Sequence, residues 1–190
     1  MSHKAIPDAA DEYCGTSYAA KLLNLSVGSI QSIHQYQNRA NLAPKAPAQA
    51  GGKYLKVMVV EDDPTTRAIY QAHFDQWDIP IDATVLESAI EALLDLPAVK
   101  PHVLIADLRM PDIDGFEMLR QLSAHPQFSN VAVIAITGLT PEEIEEHGEL
   151  PEGTHVMHKP ADMGWLRGYL QAMLSMRASQ KRQAPAIDMA

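Results

Sequence analysis

The chain predicts an α/β domain built on a parallel sheet with helices on both faces, and three observations carry that expectation. Short apolar runs alternate regularly with stretches of helical periodicity between residues 55 and 177. Those runs, such as L-K-V-M-V-V, V-L-I-A and V-A-V-I-A-I, are near-continuous and rich in branched residues, as strands buried on both faces are. Several of them stop abruptly at charged or hydroxyl side chains, which places chemistry at the edge where open α/β sheets bind ligands.

Leu55 to Val60 reads as the first strand and ends in Glu61-Asp62-Asp63-Pro64. Asp63 can cap the following helix, with Pro64 at its first position, where a missing N–H costs nothing. Ile69, Tyr70, His73, Phe74 and Trp77 recur along one face of that helix, and His73 reads as a packed histidine. Ile81 to Leu86 is the second strand and Glu87 to Leu94 the second helix. Val103 to Ala106 is too short for a helix and is the third strand; Asp107 follows it directly. Met110-Pro111 then forces an extended or turning backbone. Asp112, Asp114 and Gly115 complete a loop before a helix over Phe116 to Leu122. Val131 to Ile136 delivers Thr137. Pro141-Glu142-Glu143 opens the fourth helix, whose acids suit the positive end of the helix dipole. Thr154 to Met157 delivers His158-Lys159-Pro160. Met163 to Met176 is the closing helix, with Leu166, Leu170, Met173 and Leu174 toward the core, and the tail beyond Arg177 is expected to be disordered.

Two buried strands ending in carboxylates crowd negative charge at one sheet edge, which is unfavourable unless a cation neutralises it. Carboxylate oxygens suit a hard divalent ion, and magnesium needs few protein ligands. The Thr137 hydroxyl and the Lys159 ammonium are donors for the oxygens of a phosphoryl group. A carboxylate nucleophile, a metal site and two anion-stabilising donors are the parts phosphoryl transfer needs. The plainer alternative is a set of loops that happen to carry acids. His155 and His158 are not taken as a metal pair, because strand residues three apart point to opposite faces.

The set Glu61-Asp62, Asp107 with Met110-Pro111 and Gly115, Thr137-Gly138, and Lys159-Pro160 resembles the response-regulator receiver domain in order and spacing, from about Leu55 to Arg177. The resemblance implies a doubly wound, flavodoxin-like sheet of five parallel strands in the order 2-1-3-4-5. It implies that Asp107 accepts the phosphoryl group, that Asp62 and Asp107 bind Mg2+ directly, that Glu61 holds it through water, and that the backbone carbonyl of Arg109 is a further ligand. Thr137 and Lys159 then contact the phosphoryl oxygens, and the Lys159-Pro160 bond is cis. Such a receiver catalyses only its own phosphorylation and dephosphorylation. Phosphatases of the haloacid dehalogenase type also use a strand-end aspartate, but they need a second acid two residues on, where this chain has Arg109. The family's aromatic residue three before the lysine is Val156 here, which leaves no ring to couple the threonine to the output face.

Composition sets the frame. The 190 residues, 46% hydrophobic and 21% charged, suit one domain with a modest extension. The single cysteine, Cys14, excludes an intrachain disulfide, and no apolar run is long enough to span a bilayer. A cytoplasmic location is expected. The net charge of −9 is uneven: residues 1–53 hold five basic against three acidic side chains, and residues 54–178 hold eight against twenty. An acidic receiver does not approach a polyanion by itself.

Within the basic segment, residues 1–13 read as a flexible N-terminus, 14–38 as a helical hairpin and 39–53 as an Ala/Pro/Gly linker. Residues 54–178 form the receiver and 179–190 the disordered tail. The pattern A-A-K-L-L-N-L-S-V-G-S-I-Q-S-I resembles the helix-turn-helix of excisionase-type DNA-binding domains. The resemblance places Ser26, Gly28, Ser29 and Gln31 where such a domain meets the major groove. The second helix nevertheless has no Lys or Arg before Arg39, and phosphate neutralisation supplies most non-specific affinity. The preferred expectation is a two-component regulator that receives its phosphoryl group from a histidine kinase or histidine phosphotransfer protein. Its output is then protein–protein contact through the hairpin or the receiver face, with a second copy of the chain as a candidate partner. The alternative is phosphorylation-controlled DNA binding through the hairpin.

Overall fold

The computed structural model describes residues 54–111 and 114–183. The hairpin, the linker, Ser26, Gly28, Ser29, Gln31 and Asp112 lie outside the described residues. Five strands alternate with five helices: β1 (Leu55–Val60), α1 (Pro64–Gln76), β2 (Ile81–Leu86), α2 (Ala89–Val99), β3 (Val103–Ala106), α3 (Gly115–Ser123), β4 (Ala132–Thr137), α4 (Pro141–His147), β5 (His155–His158) and α5 (Met163–Gln183). A 3-10 turn, Pro126–Phe128, precedes β4. Every pairing is parallel and the order is β2-β1-β3-β4-β5, the flavodoxin-like order that was expected.

Residue parity along the central strands builds two cores. Val57, Val59, Val103, Ile105, Ile134 and Ile136 pack with Tyr70 and Phe74 of α1 and Leu166 and Leu170 of α5. Their neighbours Met58, Val60, Leu104, Ala106, Val133 and Ala135 face Leu93 and Leu96 of α2 and Phe116 and Leu119 of α3. Each fully buried aliphatic or aromatic side chain contributes roughly 1.5–3 kcal/mol by leaving water. The central strands therefore have no polar side and cannot slip by one residue without exchanging their two cores.

Local signals fix the helix starts. The Asp63 carboxylate accepts the Thr66 N–H at 2.7 Å, with Pro64 in the first turn. Asp114 caps α3 by accepting from Glu117 N at 2.7 Å. Thr140 and Glu143 form a reciprocal capping box at α4. Each such cap is worth about 1 kcal/mol.

Four expectations are corrected. The second helix starts after Ser88, whose hydroxyl accepts from Glu91 N, and runs through Pro97 to Val99 because Leu93, Leu94 and Leu96 bury its last turns. It ends on Lys100, held in the left-handed region (φ 49°, ψ 63°), a conformation costing a non-glycine residue roughly 1–2 kcal/mol. Ile69 does not join Tyr70 and Phe74 but is 48% exposed. The closing helix continues past Met176 to Gln183, so residues 179–183 are not part of a disordered tail. Arg177 to Gln183 contains good helix formers and neither Gly nor Pro. Finally, β4 begins at Ala132 and β5 spans His155–His158, each one residue later than expected.

Candidate phosphoryl-acceptor site

Strand register brings the site together. Val60 pairs level with Ala106, so Glu61 and Asp107 leave the sheet side by side. Ala106 pairs with Ala135, and Thr137 pairs with His158, so β4 and β5 carry Thr137 and Lys159 to the same edge. Glu61, Asp107 and Thr137, at 2%, 6% and 0% exposure, are the buried polar or charged residues among those described. All three lie at this edge. Buried polar groups of this kind are costly to place, and their concentration here makes this edge the candidate site.

Carboxylate oxygens of Glu61, Asp62 and Asp107 lie within 4.8 Å of one another. The Lys159 ammonium donates to both oxygens of Glu61, at 3.0 and 2.8 Å, and to Oδ2 of Asp107 at 2.8 Å. Asp107 Oδ1 accepts the Arg109 N–H at 3.0 Å, so both carboxylate oxygens of Asp107 are held. Burial raises the Glu61 pKa, and the Lys159 hydrogen bond opposes this without cancelling it. Burial works against the Lys159 charge, but hydrogen bonds to Asp107 and Glu61 outweigh it and hold the ammonium above its ordinary pKa. Lys159 thus stays cationic and partly neutralises a cluster that alone would repel itself.

Thr137 accepts the Leu139 N–H at 3.2 Å through its hydroxyl oxygen, and its carbonyl accepts from Lys159 N at 2.8 Å. The Lys159-Pro160 bond is cis, as the resemblance implied. Gly115 is required by close approach: a Cβ there would collide with the Asp107 carbonyl oxygen and lie 2.7 Å from Leu108 Cα. The donor set fits a hard divalent cation, being entirely carboxylate oxygen on two adjacent strand ends.

One residue of the site was missed in the sequence. Arg67 reaches back from α1, and its Nη1 donates to the backbone carbonyls of Glu61 at 2.9 Å and Asp62 at 2.7 Å. Its Nη2 lies 3.5 Å from the Glu87 carboxylate. The available signal was a cation one turn into a helix, where the dipole disfavours it. His73 is half-buried with its ring 5.8 Å from that of Trp77, and His155 sits against the rings of Trp165 and Tyr169. Val156 is 44% exposed on the edge strand β5. No described helix is long and apolar enough to cross a membrane.

The family model described as the response regulator receiver domain matches residues 57–171. An uncharacterised 14.6 kDa protein of Leptolyngbya boryana is 31% identical over 108 residues, which is 57% of this chain and 81% of that one. The C4-dicarboxylate transport transcriptional regulatory protein DctD of Pseudomonas aeruginosa is 34% identical over 118 residues, 61% of this chain but only 22% of its own length. Among solved structures, the Francisella response regulator 1452 receiver domain superposes with a TM-score of 0.55 at 25% identity, covering 64% of this chain and 98% of that one. The receiver domain of a sensor histidine kinase from Pseudomonas aeruginosa PAO1, with magnesium coordinated in its active-site cleft, gives 0.55 at 20% identity, over 64% and 98% of the two chains. The strand order, the buried acids at one edge and the match over most of the chain agree, and this chain belongs to the response regulator receiver domain family.

Proposed function

We propose that this protein is a response regulator of a phosphorelay that accepts a phosphoryl group on Asp107. The observation that carries the proposal is the Lys159 ammonium bridging Glu61 and Asp107 at the buried end of β1 and β3. A histidine kinase or histidine phosphotransfer protein supplies the group. An Asp107 oxygen bonds to phosphorus, the N–P bond of the phosphohistidine breaks, and the imidazole leaves with that electron pair. Asp62 and Asp107 would hold Mg2+ directly, with Glu61 acting through water and the Arg109 carbonyl as a further ligand. The ion supplies charge neutralisation for the transferring oxygens.

The chain's own groups do the rest. The Arg109 amide fixes one Asp107 oxygen, and Arg67 fixes the backbone that carries Glu61 and Asp62. Lys159 pairs with the acquired phosphoryl oxygens, and the Thr137 hydroxyl donates to them. The receiver needs no separate catalyst for acquiring or losing the group, and the signal passes on by protein–protein contact. With a small-molecule phosphodonor and magnesium, the wild type gains one acid-stable, base-labile phosphoryl group by mass spectrometry. Asp107→Asn gains none; label on that variant would remove Asp107 from the role.

A further inference from the structure

At the sheet edge opposite Asp107, where the strands begin, a cavity of about 280 Å3 opens between the end of α2, the 3-10 turn and α5. Its walls include the apolar Pro101, Phe128 and Val131, and its polar groups include Lys100, Arg177 and the Asn130 amide. No acid lines it, in a domain where acids outnumber bases by twenty to eight. Neither Lys100 nor Arg177 has a carboxylate within ion-pairing distance among the described residues. Two cations that form no ion pair among the described residues, both lining one concave, partly apolar space, are an anion site in charge and shape.

An independent observation comes from the backbone. Lys100 is the non-glycine residue with positive φ among those described. The left-handed position after a helix is the usual place of glycine, which takes it without strain. A lysine there brings a long cationic side chain to the cavity wall at a cost to the backbone. Strain held at one residue is a pointer to a site.

We infer that this cavity binds a small phosphate monoester, no larger than a mononucleotide, with Lys100 and Arg177 on the phosphate and the Phe128 side on its flat apolar part. The site is separate from Asp107 and does not depend on its phosphorylation.

The test is an NMR titration of the isotope-labelled 190-residue chain in magnesium-free, low-salt buffer, with adenosine monophosphate and with inorganic phosphate as probes. Adenosine monophosphate produces saturable shifts confined to residues 97–102 and 127–131, and inorganic phosphate binds about tenfold more weakly because it lacks the apolar part. Lys100→Gly and Arg177→Ala each weaken binding about tenfold, while Asp107→Asn leaves it unchanged. Lys100→Gly also raises the melting temperature, separating a ligand role from a helix-end role. Non-saturating shifts, shifts centred on Asp107, undiminished binding in the two cation variants, or a lower melting temperature for Lys100→Gly would each overturn the inference.

Discussion

The guanidinium of Arg67 stands 2.7 Å from the backbone carbonyl of Asp62 and, through the same nitrogen, 2.9 Å from that of Glu61. A side chain on α1 therefore sets the direction in which two carboxylates leave β1. Arg67→Ala is expected to raise the dissociation constant for Mg2+ about tenfold, the range found when a ligand's outer partner is removed. Arg67→Lys, which keeps one donor, falls between. Calorimetric titration reads this directly, and unchanged affinity in the alanine variant would reduce Arg67 to a helix-surface residue.

Lys159 occupies the charge-neutralising role at the same edge. Lys159→Ala leaves Glu61 and Asp107 buried without a cation, a loss of roughly 3–5 kcal/mol for a fully buried pair. Lys159 is partly exposed, so about 2 kcal/mol of destabilisation is expected. Because Mg2+ can replace the missing charge, the metal should raise the melting temperature of this variant more than that of the wild type. Equal shifts would mean that Lys159 and the metal do not address the same carboxylates.

Tyr70 has its phenol pKa pushed up to about 12, by burial first and then by the negative charges of Glu61 and Asp107. The folded state favours the neutral phenol. Its contribution to stability is therefore complete below the usual value of about 10 and is lost as pH rises through about 12. A step of tyrosinate absorbance at about this pH should vanish in Tyr70→Phe. A variant with the same high-pH step would assign that step elsewhere.

Val156 gives a prediction about the switch. A valine 44% exposed on β5 has no ring that could turn inward toward Thr137. Beryllofluoride binding should therefore change hydrogen exchange only slightly over residues 139–158. Strong changes there would show that the face is driven by another route, and Val156→Tyr should enlarge the response.

The sequence carried the fold unusually far because β3 and β4 are runs of apolar residues, each leading to one polar side chain. Asp107 after V-L-I-A and Thr137 after V-I-A-I needed only the order of residues to be found. Lys159 could be named, but its bridge to Glu61 joins positions 98 apart and is a product of strand order. Arg67 escaped because its partners at the site are backbone carbonyls, which its place one turn into a helix hints at but does not identify. Helix ends were hidden for a different reason: burial of Leu94 and Leu96 carries α2 through Pro97, against local propensity. Ile69 shows the reverse, an apolar residue one position off the buried row of α1.

The strand β5 closes the sheet on one side with only four residues, H-V-M-H, and is followed at once by Lys159-Pro160. Its outer rim offers few backbone donors in line, and proline forbids extension of the ladder. A short, partly polar margin of this kind is a poor template for another chain's strand. The same Pro160 that follows Lys159 at the reactive end of the sheet thereby also limits how far two molecules can join edge to edge.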